Sequence, residues 1–359
     1  MRLIVTGGGT GGHVFPALEL ARIAREYGAE VAYFGSSRGQ EVLAARKADI
    51  SFVGFPSSPL YSLRTARGWK GLIGFMRSRL GASREIKRFK PDVIFATGGY
   101  SSAPVVSSAQ SIGVPVVIHE SNSVPGRSNK LFASRAKVVA TTFFATERTL
   151  SDCRVVRTGL PLRRELRQFA DGPHGRELLP LVFVFGGSQG AQAINEAALG
   201  AAARMHGQAL HWIHATGKAN FESVFSSFKK LGLKGSYEVK SYLEVEEMAR
   251  AYSRATVAVT RGGAGTLSEL AAFRLPPVAI PLPSAHANHQ LHNVREFVEM
   301  AAATLLVQSE LHPASLEREL RDWIENDKRR EEAAQAMEKW DTPHAAEEIW
   351  SLIQEAAKA

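Results

Sequence analysis

Near its first residue the chain passes from an apolar run, Leu3-Ile4-Val5, into Gly7-Gly8-Gly9-Thr10-Gly11-Gly12-His13, and then into Val14-Phe15-Pro16-Ala17-Leu18. A strand feeding a glycine-rich turn and then a helix is the opening unit of a parallel α/β fold. The turn leaves bare backbone N–H groups at a helix start, where an anion is favoured. Gly7, Gly9 and Gly12 also satisfy the dinucleotide pattern G-x-G-x-x-G. That pattern needs an acidic residue at the end of the second strand to hold a ribose. The second strand, Val31-Ala32-Tyr33-Phe34, runs instead into Gly35-Ser36-Ser37, which argues against a nicotinamide cofactor.

Short β-rich runs at 3–6, 31–34, 93–96, 114–118 and 138–140 alternate with helical stretches, the pattern of a parallel sheet covered on both sides. The pattern restarts at 181–185, which runs into Gly186-Gly187-Ser188-Gln189-Gly190. Each half also repeats a second unit. Ile94-Phe95-Ala96-Thr97-Gly98-Gly99 leads through a helix to Val114-Pro115-Val116-Val117-Ile118, and Val257-Ala258-Val259-Thr260-Arg261-Gly262-Gly263 leads to Pro277-Val278-Ala279-Ile280. Two similar α/β domains are expected, with the seam near Gly159-Leu160-Pro161 or in Asp171-Gly172-Pro173-His174-Gly175. The division expected is 1–160, 161–340 and a terminal helix at 341–359, whose Ile349, Leu352, Ile353 and Ala356 share one face suited to packing on a domain. Ligands of open parallel sheets bind at the carboxyl ends of the strands, where all four glycine turns lie.

At 359 residues, two cores of ordinary size are the natural division. The single Cys153 makes no internal disulfide and points to a reducing compartment. No apolar stretch approaches the roughly 18 residues of a membrane span, and the first residues read as a strand rather than a leader, so a soluble or peripheral protein is expected. Lys plus Arg number 44 against 35 Asp plus Glu, a net +9 that suits an anionic partner. The charge is concentrated between Tyr61 and Tyr100, where Arg64, Arg67, Lys70, Arg77, Arg79, Arg84, Lys87, Arg88 and Lys90 face only Glu85 and Asp92. Trp69, Leu72, Ile73, Phe75, Met76 and Leu80 are interleaved at helical spacing. Such a segment can lie on anionic lipid with its apolar face among the headgroups, or turn that face to the core and leave a solvated basic back. No nucleic-acid motif accompanies the charge, so no nucleic-acid partner is expected.

Arg261-Gly262-Gly263-Ala264-Gly265-Thr266-Leu267-Ser268-Glu269 opens a second helix with glycines, suited to a diphosphate. Glu269, about a turn further on, can either accept two hydrogen bonds from ribose hydroxyls or serve as a favourable charge near a helix start. His286, Asn288, His289, Gln290, His292 and Asn293 form a polar run after a strand, read for sugar or phosphate contacts rather than metal, since defined ligand pairs and an H-E-x-x-H are missing. His119-Glu120-Ser121-Asn122 follows another strand, and Arg163 sits by the seam, where a guanidinium can reach a phosphate. No Asp-x-Asp occurs, so a leaving diphosphate would be neutralised by helix starts and cations.

Taken together, residues 8–16, 97–100, 119–122, 186–191 and 263–269 closely resemble the MurG family, UDP-N-acetylglucosamine transferases of bacterial peptidoglycan synthesis. The resemblance implies a GT-B fold, two Rossmann-like domains with parallel sheets facing a deep cleft. It further implies metal-independent, inverting transfer of GlcNAc to the 4-hydroxyl of undecaprenyl-pyrophosphoryl-MurNAc-pentapeptide (lipid I to lipid II), without a cofactor. The expected location is peripheral, on the cytoplasmic face of the inner membrane, with the first domain taking the lipid-linked acceptor and the second UDP-GlcNAc. Carried over by motif, Thr10, Gly11 and Gly12 lie by the donor sugar and phosphates, and His13 is the candidate base or a phosphate ligand. Asn122, Arg163 and Ser188 match donor contacts. Ala264, Gly265, Thr266, Leu267, Ser268 and Glu269 match the phosphate and ribose site. His289 and Gln290 match a Gln-Gln-x-x-Asn stretch, and Val245, or alternatively Leu243, matches the uracil contact. The chain departs from the family at Ser121, where the family has Gln, and at Leu160, where it has Asn. Other nucleotide-sugar enzymes of this architecture, such as a UDP-galactose glycolipid synthase or a UDP-GlcNAc 2-epimerase, and a non-catalytic sugar-nucleotide-binding subunit are the alternatives.

Overall fold

The computed structural model describes residues 1–57, 65–150, 152–172, 179–187, 190–233 and 235–358. The chain divides into two compact units, Met1–Arg163 with His344–Ala359, and Arg164–Pro343. The division thus falls after Arg163, close to the glycine-proline turn at 159–161 and ahead of the polar stretch at 171–175, of which 173–175 lie outside the described residues.

In the first unit, seven strands run parallel: β1 (Arg2–Thr6), β2 (Glu30–Ser36), β3 (Ser51–Phe55), β4 (Val93–Ala96), β5 (Val116–Glu120), β6 (Val138–Thr141) and β7 (Val155–Arg157). Their order is β3-β2-β1-β4-β5-β6-β7, so the winding reverses between β1 and β4. Alternation along the strands builds two apolar layers. Leu3, Val5, Phe95 and Val117 pack with Ala17, Leu20 and Ala24 of the helix Gly11–Glu26. Ile4, Ile94, Ile118 and Val139 pack with Ile86 of the helix Ala66–Phe89 and Val105 of the helix Ala103–Ser111. Burial on both faces is what a parallel sheet requires. The terminal helix Ala345–Lys358 joins the first of these layers through Ile349, Trp350, Ile353 and Ala356. Tyr27 stacks on Trp350 at 5.8 Å, and Arg154 pairs with Glu355 at 2.6 Å.

The second unit has six parallel strands: β8 (Leu181–Phe185), β9 (His211–Ala215), β10 (Tyr237–Lys240), β11 (Val257–Thr260), β12 (Pro277–Ala279) and β13 (Thr304–Leu305). The order β10-β9-β8-β11-β12-β13 repeats that of the first six strands of the other sheet, reversing between β8 and β11. In each unit the two glycine turns singled out in the sequence therefore follow the two strands flanking the reversal, where open α/β sheets bind ligands.

Strand limits differ from the sequence reading in one informative place. The run expected at 114–118 begins as β5 only at Val116 and extends through His119 and Glu120. Pro115 has no N–H to donate to the ladder, although its carbonyl accepts from Ile94. His119 and Glu120 are thus strand residues, paired with Ala140 and Thr141.

Candidate functional site

In the first unit the site begins where β1 ends. Tyr33 donates its hydroxyl to the Gly7 carbonyl at 2.6 Å, and Gly8 N–H donates to the Gly98 carbonyl at 3.3 Å. Glycine is required at two of these positions by close approach. A Cβ on Gly99 would lie 2.2 Å from the Gly8 oxygen, and one on Gly8 would lie 2.4 Å from Glu41 Oε1. Burial first, and then the Glu41 charge, push the Tyr33 phenol above its usual range, keeping it a donor. Thr10, Gly11 and Gly12 open the helix Gly11–Glu26 with Thr10 and Gly12 exposed, so the helix start is presented outward. His13 is half-buried in its first turn, its ring beside Gly99.

His119 is fully buried, its Nε2 2.9 Å from the Gly159 carbonyl and its Nδ1 3.4 Å from Ser121 Oγ. The carbonyl can only accept, which places the proton on Nε2 and leaves Nδ1 to receive the serine hydroxyl. Burial drives the His119 pKa down to about 4; the Gly159 bond opposes that shift and the nearby His13 adds to it. A ring that stays neutral at pH 7 orients the backbone rather than exchanging protons. Ser121, where the resembling family has Gln, serves this imidazole. Glu120, also fully buried, gathers the loop beyond: Oε1 accepts from Asn122 N and Nδ2 at 2.9 and 3.3 Å, and Oε2 from Gly126 N and Asn129 Nδ2 at 2.8 Å each. Asn122 is fixed further by Thr146, whose hydroxyl donates to its carbonyl at 2.9 Å. Arg163 places its guanidinium 5.4 Å from the ring centroid of Phe15, half-exposed on the helix that carries His13.

In the second unit the helix Ala264–Ala272 starts from Gly263 with no side-chain cap, so its first-turn N–H groups are available to a ligand. Gly262 cannot carry a side chain, since a Cβ would meet the Gln290 carbonyl at 2.6 Å and Val294 at 2.5 Å. Asn293, buried, donates to the Gly262 carbonyl at 3.2 Å, and Arg261 donates to the Ile280 carbonyl at 3.1 Å. Glu269 accepts a hydrogen bond from the buried Tyr252 hydroxyl at 2.9 Å. Tyr252 lies on the helix Val245–Arg254, so the carboxylate is tied to the element that starts at Val245. Val245 is half-buried there, behind a capping box formed by Glu244 and Glu247, whereas the alternative Leu243 is buried in the core. Ala264, Leu267 and Ser268 are buried, while Gly265 and Thr266 are partly exposed.

Of the polar run, Gln290 Oε1 accepts from Leu282 N at 2.9 Å and His289 Nδ1 lies 2.8 Å from the His286 carbonyl. Those contacts shape the loop ahead of the helix His289–Glu299. Among the described residues, no three His, Cys, Asp or Glu side chains are grouped to hold a metal ion. Ser188 lies outside the described residues. Sequence reasoning passed over Tyr252 and Asn129, and it placed Thr97 within the 97–100 motif without pairing it with His13. Tyr252 stands 17 residues from Glu269 and Thr97 stands 84 from His13, so no local pattern marks either.

The helix Ala66–Phe89 begins at Thr65, whose hydroxyl oxygen accepts from Gly68 N at 3.1 Å, and ends at Lys90 in the left-handed region, φ 52°. Gly71, Ser78, Ala82 and Ile86 face inward. Trp69, Ile73, Met76 and Leu80, three or four residues apart, are 57%, 53%, 42% and 58% exposed. Of the two orientations open from the sequence, these four face solvent, flanked by the exposed Lys70, Arg77, Arg84 and Lys87, whereas Leu72 and Phe75 of the same expected set are partly buried. Among the described residues no helix is long and apolar enough to cross a membrane.

Residues 3–141 match the glycosyltransferase family 28 N-terminal domain, and residues 181–349 match the glycosyltransferase family 28 C-terminal domain. A Desulforamulus reducens protein named UDP-N-acetylglucosamine--N-acetylmuramyl-(pentapeptide) pyrophosphoryl-undecaprenol N-acetylglucosamine transferase is 35% identical, over 99% of this chain and 98% of its own. The crystal structure of Acinetobacter baumannii MurG superposes with a TM-score of 0.81 at 28% identity, covering 99% of both chains. The calicheamicin glycosyltransferase CalG4 shares the fold, with a TM-score of 0.70 at 15% identity over 99% of this chain and 98% of its own.

Proposed function

The chain belongs to glycosyltransferase family 28, and from that premise we propose that it transfers N-acetylglucosamine from UDP-GlcNAc to the 4-hydroxyl of N-acetylmuramyl-pentapeptide carried on undecaprenyl pyrophosphate. The observation that carries this reading is Glu269, held by Tyr252 beyond a glycine-started helix, an arrangement suited to a ribose beside a diphosphate. In this reading the second unit holds UDP-GlcNAc: N–H groups of Ala264, Gly265 and Thr266 meet the phosphates, with Leu267 and Ser268 seating the turn. Glu269 takes the ribose hydroxyls, Val245 borders the uracil, and His289, Gln290 and Ser188 contact the sugar or phosphates. The first unit supplies Thr10, Gly11, Gly12 and Asn122 to the reacting end and takes the acceptor.

His13 removes the proton of the attacking hydroxyl, which displaces UDP from the anomeric carbon in line, so configuration inverts in one step. In this reading the charge building on the departing diphosphate is met by the N–H groups of the helix start at 263–266 and by the Arg163 guanidinium, and the reading needs no cofactor. His119, neutral down to about pH 4, holds the Gly159 carbonyl and takes no part in proton transfer.

The acceptor's lipid would keep the protein at the cytoplasmic face of the inner membrane. What supports that is the exposed stripe of Trp69, Ile73, Met76 and Leu80 beside cations, the composition of a helix lying in an anionic headgroup layer. No nucleic acid belongs to this reading. Purified protein given UDP-GlcNAc and a prenyl-pyrophosphoryl-MurNAc-pentapeptide should release UDP only with both present and yield a β-linked disaccharide. UDP release independent of the acceptor, or an α-linked product, would overturn the reading.

A further inference from the structure

The first turn that carries His13 is weak by its own chemistry. It begins with Gly11 and Gly12, the poorest helix formers after proline. Thr10 stands at the N-cap but its side chain makes no capping bond, so only its carbonyl, accepting from His13 N at 3.1 Å and Val14 N at 3.2 Å, starts the helix. Pro16 then removes the N–H that would have met the Gly12 carbonyl.

Against that looseness stands one side chain from the far side of the strand-order reversal. Thr97, fully buried at the end of β4, donates its hydroxyl to the His13 carbonyl at 2.7 Å. Its own N–H donates to the Thr6 carbonyl at 2.9 Å, so the hydroxyl is referenced to the sheet rather than to a mobile loop. Gly7 makes room for it, since a Cβ there would lie 1.9 Å from Thr97 Oγ1. Strand β1, the glycine turn and the helix start are thereby fastened to β4 at the residue that carries the imidazole.

We propose that Thr97 is a positioning residue for the reaction, setting the height and rotation of His13 through its carbonyl. The inference rests on the reading of His13 as the base. A base displaced by about 1 Å can lose up to 100-fold in rate while the nucleotide, which this reading seats on the second unit, keeps most of the donor's affinity.

Steady-state turnover is compared for wild type, Thr97→Val, Thr97→Ser, His13→Ala and the Thr97→Val/His13→Ala double variant, each checked by thermal unfolding. Thr97→Val is expected to lower kcat about tenfold with KM for UDP-GlcNAc within about twofold. Thr97→Ser, which keeps the hydroxyl, should retain most of kcat. In the His13→Ala background the valine change should cost nothing further in kcat, because the carbonyl of residue 13 remains but the imidazole it positions is gone. Thr97→Ala reads the same way should a methyl beside Gly7 prevent folding. Wild-type kcat in Thr97→Val, an equal loss in Thr97→Ser, or an undiminished loss in the double variant would each overturn the proposal. Full turnover by His13→Ala would remove the base reading itself, a result separable from any of these.

Discussion

Tyr252→Phe tests how the second unit orients its carboxylate. Tyr252 is buried against Phe183, Phe185 and Phe273, with ring centroids 5.6, 5.7 and 5.2 Å away, so phenylalanine keeps the packing and deletes only the hydroxyl. The bond lost is a 2.9 Å donation to Glu269. A hydrogen bond to a charged acceptor contributes about 1.5–3 kcal/mol net, and Glu269 is half-buried, so water replaces part of it and the lower end applies. About 1.4 kcal/mol of donor-binding energy is roughly tenfold in affinity. UDP release assayed across a UDP-GlcNAc series should show KM raised about tenfold with kcat little changed, because the ribose is remote from the bond being broken. Glu269→Gln should raise KM at least as much. An unchanged KM in Tyr252→Phe, or a loss confined to kcat, would refute the assignment of Glu269 to the ribose.

His13→Ala should reduce kcat by about 100-fold or more and leave UDP-GlcNAc binding, followed by calorimetry, nearly intact; a loss mainly in affinity would make it a binding residue. The pair Ile73→Glu and Leu80→Glu, both at exposed positions, should release the protein from anionic vesicles in flotation without lowering its melting temperature, and wild-type binding should weaken as salt rises. Salt-insensitive binding would contradict the membrane reading. The buried imidazoles His119 and His214, with pKa values pushed to about 4 and about 3, each contribute stability that is complete above the unfolded value of about 6.5 and is lost as pH falls toward the folded values. Unfolding should therefore take up protons from about pH 6.5 down to about pH 4, lowering the melting temperature across that range. A flat profile across that window would argue that neither ring is held neutral.

His214 also shows where the sequence became hard to read. The strand β9, His211–Ala215, carries an imidazole next to its last residue, Nε2 3.0 Å from Asn195 Oδ1 and Nδ1 2.8 Å from Tyr237 OH, so apolar alternation fails although the residue is wholly buried. The partners come from a helix and a neighbouring strand, and only their arrival makes the polar ring tolerable in the core. Alternation also did not mark β3 and β7, the two edge strands of the first sheet, whose short segments mix polar and apolar residues. The central strands β1, β4 and β11 were legible because each holds three or four consecutive apolar residues with a glycine turn one or two residues beyond the strand's end.

By itself the amino-acid order determined the strand-turn-helix units, the doubling of the α/β pattern and the glycine turns, because turn geometry and apolar period are properties of neighbouring residues. It left open which side of the helix Ala66–Phe89 meets solvent, since the same spacing serves a core or a lipid surface, and only packing against the helix Ala103–Ser111 and the sheet turned Trp69 and Leu80 outward. The tertiary structure alone brought Tyr252 to Glu269, Thr97 to His13 and Gly159 to His119. The Thr97–His13 bond forms where the sheet order reverses and β1 and β4 lie side by side, the other two join residues 17 and 40 apart in the chain, and each depends on backbone placement that no short stretch of chain encodes.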